Sequence, residues 1–138
     1  MLRIKRVYEP PARTDGHRVL VDRLWPRGLA KEAARLDEWL KELAPSDSLR
    51  KWFGHDPDRF VEFSARYQQE LANDETRALL ATLGSRARRQ AVTLVYAAHD
   101  ELHNNAVVLA ALLKRRRTPA KPARAAKRAP RSAAKASR

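Results

Sequence analysis

Three short polar stretches carry the side chains that could do chemistry. The first is "DRLWPRG", residues 22–28, which follows the apolar run Val19-Leu20-Val21 without a break. It holds one acid, Asp22, and two guanidinium groups, Arg23 and Arg27. Asp22 and Arg23 admit two readings. They form an ion pair that locks a strand end, or Arg23 is an anion-binding group steadied by its carboxylate, with Arg27 a second donor. Guanidinium forks suit phosphate and carboxylate because they pair bidentately. Pro26 and Gly28 would shape the loop, and Trp25 would form an apolar or stacking wall.

The second stretch is "HDELHNNA", residues 99–106. Asp100 reads as the N-cap of the helix that follows. Asn104 and Asn105 need a reason to stand in a first helical turn, because asparagine amides compete with the helix backbone. The functional reading turns His103 and an asparagine toward a pocket, beside the positive end of the helix dipole. His103 could then act as an acid or base near neutral pH. The third stretch, "WFGHDP" at 52–57, reads as a tight helix–helix turn with Gly54 at positive φ. A place for His55 on a pocket rim is the alternative. His99 and His103 are four apart, but His99 precedes the helix, so the two do not share a helical face and no metal is expected. No cofactor is expected either: there is no Walker loop and no dinucleotide-binding glycine fingerprint.

The elements that must position these groups alternate along the chain. "LRIKRVY" (2–8), "RVLVDRL" (18–24) and "AVTLVYAA" (91–98) read as strands, the second with a continuous apolar centre that implies burial on both faces. Ala33, Leu36, Trp39, Leu40 and Leu43 fall on one helical stripe that Pro45 ends. Ser46 is placed to cap a short helix through Phe53. Asp56-Pro57 opens another, which sets Phe60, Phe63, Tyr67 and Leu71 toward the core. Further helices cover about 75–89 and the stretch from Glu101 onward. The expectation is an α/β domain with a small, mainly parallel sheet of about three strands and about five helices. Ligands of such sheets bind beyond the carboxyl ends of the strands, where the first two polar stretches lie.

Charge divides the chain. Lys+Arg number 29 and Asp+Glu 16, for a net +13. From Lys114 onward there are 11 basic residues and no acid: Lys114, Arg115, Arg116, Arg117, Lys121, Arg124, Lys127, Arg128, Arg131, Lys135 and Arg138. The expected division is a domain over 1–113 and a basic tail over 114–138, helical at first and disordered from about Thr118. The tail has no apolar residue larger than alanine. Its charge suits the phosphates of DNA or RNA. The chain has no cysteine, which excludes disulfides, thiolate metal sites and thiol nucleophiles. No apolar run approaches the roughly 18 residues of a membrane span. A cytoplasmic location is expected, with nucleoid association if the tail engages DNA.

The combination of "DRLWPRG", "LAPS", "KWFGHDP" and "HNNA" resembles the YeaO-like branch of the bacterial DUF488 family, across residues 3 to about 113. That family is itself uncharacterised, and its pattern leaves the tail outside. Some members carry a tetrapyrrole-methyltransferase label, but this chain, with four glycines, has no glycine-rich S-adenosylmethionine loop. Position 99 departs from the family pattern. Two functions of different class follow. One is a small enzyme acting on an anionic small molecule, with Asp22, Asp100 and His103 as candidate proton-transfer groups. Arg23, Arg27, Trp25, Tyr96, Asn104, Asn105 and His55 would be its ligand-binding set. The other is a binding protein without chemistry, whose body takes an anionic ligand and whose tail contacts nucleic acid.

Overall fold

A computed structural model describes residues 1–117. Its frame is a four-stranded sheet in the order β1-β4-β2-β3, with β1 at Leu2–Arg6, β2 at His17–Leu20, β3 at Glu38–Trp39 and β4 at Val92–Tyr96. Every pairing is parallel. β4 runs between its neighbours in register Leu2↔Val92 on one side and His17↔Val92 on the other, and all five of its residues are buried. Valine, leucine and tyrosine suit that central place, because both faces of a parallel sheet are covered, and the one polar member, Thr93, donates its hydroxyl to the Asp15 carbonyl at 2.7 Å.

Side chains alternate across the sheet. Val19, Val21, Leu94 and Tyr96 enter the larger core, with Phe63, Tyr67, Leu80, Leu83, Leu109 and Leu113 from the helices. Leu20 and Val95 face the other way, with Val7, and are covered by Trp25, Leu29, Leu36 and Trp39. The covering helices are α1 (Lys31–Ala34), α2 (Asp47–Phe53), α3 (Phe60–Glu70), α4 (Asp74–Arg89) and α5 (Asn105–Arg117). Local signals start and stop them. The Ser46 hydroxyl accepts from the Leu49 N–H at 3.2 Å, Asn73 accepts from Thr76 at 2.9 Å, and Gly54 ends α2 at φ 55°. Asp56 caps a single 3₁₀ turn, Pro57–Arg59, that leads into α3. Phe63, Tyr67 and Leu71 are buried as their spacing implies.

The fourth strand corrects the sequence reading. The stripe Ala33-Leu36-Trp39-Leu40-Leu43 is not one helix. Helix α1 stops after one turn because Arg35 turns left-handed, with φ 50° and ψ 48°. Glu38 and Trp39 then pair with Val19 and Leu20, flanked by Asp37 N–H to the Arg18 carbonyl and Leu40 N–H to the Leu20 carbonyl, both 2.9 Å. Leu36 and Trp39 serve one face of the sheet, Leu40 and Leu43 the other, so the apolar spacing came from two surfaces. The three expected strands are also shorter than read, ending at Arg6, Leu20 and Tyr96. The final helix begins at Asn105 rather than near Glu101. Among the described residues no helix is long and apolar enough to cross a membrane.

Candidate functional site

Because all four strands point the same way, the segments that follow β1, β2 and β4 gather at one edge of the sheet. They enclose a cleft of about 790 Å³. Asp22, Arg23, Trp25 and Arg27 line it from the loop after β2, and Asp100, Asn104 and Asn105 from the segment after β4. His55, just beyond α2, lines it as well. His55 holds φ 58°, a left-handed value that is uncommon for a residue with a side chain. Two candidates are elsewhere. Tyr96 is 2% exposed and belongs to the core, where burial raises its phenol above the ordinary value. His103 does not line the cleft. Its Nδ1 is 2.9 Å from Asp100 Oδ2, and its ring meets Phe60 edge-on at 5.2 Å.

The acids of the cleft are occupied. Asp22 Oδ2 accepts the Ala97 N–H at 2.9 Å, and Oδ1 accepts Asn105 Nδ2 at 3.1 Å. The side chain thereby takes the place of a backbone carbonyl where β2 has left the ladder. Burial raises the Asp22 pKa above the usual carboxylate value, against the pull of these two hydrogen bonds. Asp100 is held below it, first by the Leu102 N–H and then by His103. Asp100 therefore caps the turn at Leu102 and His103, and is not the N-cap of α5. Asn104 has that role: its Oδ1 accepts the Val107 N–H at 3.0 Å. Asn105 donates to the Val21 carbonyl at 2.8 Å and to Asp22, tying α5 to the end of β2. Both asparagines thus have definite tasks at the helix start.

The arginines are less engaged. Asp22 and Arg23 are not an ion pair, so neither sequence reading of them holds as stated. Arg23 is held through Nε, which donates to the Pro45 carbonyl at 3.1 Å. Its two terminal nitrogens, and the whole Arg27 guanidinium, make no hydrogen bond among the described residues. Trp25 forms a wall, fixed by Nε1 to the Leu29 carbonyl at 2.7 Å and by an edge contact with Trp39 at 5.4 Å. The arrangement offers cationic donors and apolar surface, and both of its carboxylates already accept hydrogen bonds from the protein. Among the described residues no group of three or more His, Asp or Glu is placed to hold a metal ion.

The chain matches, over residues 1–133, the family described as the inactive DUF488-N3 subclade. It is 46% identical over 115 residues to the uncharacterized protein Rv3073c of Mycobacterium tuberculosis, covering 83% of this chain and 95% of that one. It is 43% identical over 113 residues to the uncharacterized protein YeaO of Escherichia coli, covering 82% and 96%. The chain belongs to the DUF488 family. The family match runs to residue 133 and so takes in most of the basic segment that the resemblance left outside. No solved structure matches.

Sequence reasoning missed four parts of the cleft in this DUF488 protein. Arg50 of α2 lines the cleft, and its Nε is buried without a hydrogen-bond partner among the described residues. Nothing around it distinguishes it from an ordinary helical cation. Tyr8 also lines the cleft, and its hydroxyl donates to the Arg27 carbonyl at 2.8 Å. Arg6 steadies the far wall by donating to the Ala98 and Ala97 carbonyls at 2.9 and 3.2 Å. Phe53 and Phe63, readable only as core, also reach the cleft. Of the tail candidates, Lys114–Arg117 end α5, and Arg115 reaches the Gln68 side chain at 3.5 Å. Lys121, Arg124, Lys127, Arg128, Arg131, Lys135 and Arg138, and the expected disorder from Thr118, lie outside the described residues.

Proposed function

We propose that this DUF488 protein is a binding protein without catalysis, which takes a phosphate or carboxylate ligand in the cleft beyond β2 and β4. The observation that carries the reading is the contrast between engaged acids and open arginines. The enzyme alternative needs Asp22, Asp100 or His103 to move a proton at the ligand. Asp22 and Asp100 already accept hydrogen bonds on both oxygens, and His103 does not line the cleft. Arg23, Arg27 and Arg50 all line it. The description of the matching subclade as inactive agrees with binding.

Arg23→Ala tests this. A charged hydrogen-bonding group contributes about 1.5–3 kcal/mol, so phosphate affinity should fall roughly ten- to a hundredfold by calorimetry. The Arg23 side chain is 38% exposed and its own contacts are one backbone carbonyl and a 4.0 Å approach to the exposed Asp47 carboxylate, so stability should change by no more than about 0.5 kcal/mol. Undiminished phosphate binding would remove the proposal. Loss of the fold would assign Arg23 a structural role instead.

The basic tail extends the same reading to nucleic acid. Seven of its 11 basic residues follow Arg117. If about half of these seven engage phosphates, the log–log salt dependence of duplex binding should be steeper by about 3 for the full chain than for one ending at Arg117. Little preference among sequences is expected. Equal slopes for the two chains would show the tail's charges to be merely solvated.

A further inference from the structure

We propose that the ligand is a phosphate monoester with a flat apolar body, and that the Asp47 carboxylate occupies the phosphate position until the ligand displaces it. The proposal deepens the anion-binding reading above and rests on it. Arg23 Nε lies 4.0 Å and Arg50 Nη2 3.4 Å from the same oxygen, Asp47 Oδ1. Two guanidinium groups thus meet at one carboxylate beside the cleft. Asp47 is not needed as a cap there, since Ser46 caps α2. Its carboxylate is 62% exposed, and exposed ion pairs of this kind are weak. One negative charge between two arginines leaves a positive charge unbalanced. A phosphate dianion would match both, with three oxygens for the two forks. The open terminal nitrogens of Arg23, whose Nε alone is engaged, are the donors in reserve.

The rest of the cleft specifies the body. At about 790 Å³ it is far larger than an inorganic anion requires and falls in the range of organic-ligand sites. Leu24, Trp25, Phe53 and Tyr8 supply apolar and aromatic surface, with Leu24 59% exposed. The amide N–H groups of Asn104 and Asn105 donate to the Asp100 carbonyl and to Val21 and Asp22. Recognition of the body therefore rests on apolar contact and stacking rather than on amide donors reading a ring edge.

The test is calorimetry on the full chain with inorganic phosphate, phenyl phosphate and benzoate. Phenyl phosphate should bind about tenfold tighter than inorganic phosphate, because the ring is buried. It should also bind tighter than benzoate, which brings one charge. Asp47→Asn should tighten both phosphates about threefold by removing a weak competitor, and Asp47→Ser serves equally if the first variant folds poorly. Leu24→Ser should narrow the gap between phenyl phosphate and inorganic phosphate without weakening the latter. Phenyl phosphate binding no tighter than inorganic phosphate, or Asp47 variants that bind phosphate equally or more weakly, would overturn the proposal. Failure of all three compounds to bind would defeat the anion-binding reading itself.

Discussion

Gly16→Ala is expected to destabilise the protein by about 3–5 kcal/mol, the sum of backbone strain and overlap. Gly16 has φ 66° and ψ −130°, a region essentially closed to residues with a β-carbon. A Cβ there would lie 2.2 Å from the Ala91 carbonyl oxygen and 2.7 Å from the Ala91 Cβ. That oxygen cannot retreat freely, because it accepts the His17 N–H at 2.9 Å where β2 begins to pair with β4. Domains of this size are stable by about 5–15 kcal/mol, so the loss would be a large fraction of the total. Urea unfolding at neutral pH measures it. A change below about 1 kcal/mol would mean that the turn has another conformation.

Asp15→Ala should have a comparable effect and a distinct pH signature. Asp15 and Arg18 form a buried pair, 2.6 Å apart with side chains 2% and 4% exposed. Lys5 Nζ adds a contact at 3.0 Å and the Ala12 N–H another at 2.9 Å. The Arg18 guanidinium also donates to the Ala34 carbonyl, at 2.8 Å from Nη2. Removing one partner of a buried pair leaves the other charge uncompensated, at about 3–5 kcal/mol. Burial is the largest influence on the Asp15 carboxyl and pushes its pKa up. The hydrogen bonds from Ala12, Lys5 and Arg18 together outweigh it, so the pKa lies below the ordinary value. A depressed folded pKa contributes stability that is present above the unfolded pKa of about 3.9 and lost as pH falls through the folded one. The difference between wild type and Asp15→Ala should therefore shrink on acidification through that range. A gap that stays constant from pH 7 into strong acid would refute this account.

Some of this protein was legible from local chemistry. Strands β1, β2 and β4 show as runs of β-formers. The cap at Ser46, the turn at Gly54-His55-Asp56 and the buried spacing of Phe63, Tyr67 and Leu71 are each decided within a few residues. Polar stretches directly after two apolar strands located the cleft, because in a parallel sheet strand ends fall together. Where a feature depends on a distant partner, the local pattern misled. The stripe from Ala33 to Leu43 satisfies helical spacing, yet its residues serve opposite faces of a sheet through pairing with β2. Asp22 and Arg23 are adjacent in sequence but point to different partners, Asn105 and Pro45, which the fold alone brings near. Arg50 and Tyr8 join the cleft for the same reason.

Composition and short-range patterning thus determined the fold class, the division of charge and the neighbourhood of the cleft, because hydrophobic period, capping and turn chemistry act over a few residues. Tertiary structure alone decided the fourth strand, the closed passage at Gly16, the engagement of Asp22 and Asp100, and the meeting of Arg23 with Arg50. Each of these depends on a hydrogen bond or contact between segments far apart in the chain, and no local propensity encodes such a distance.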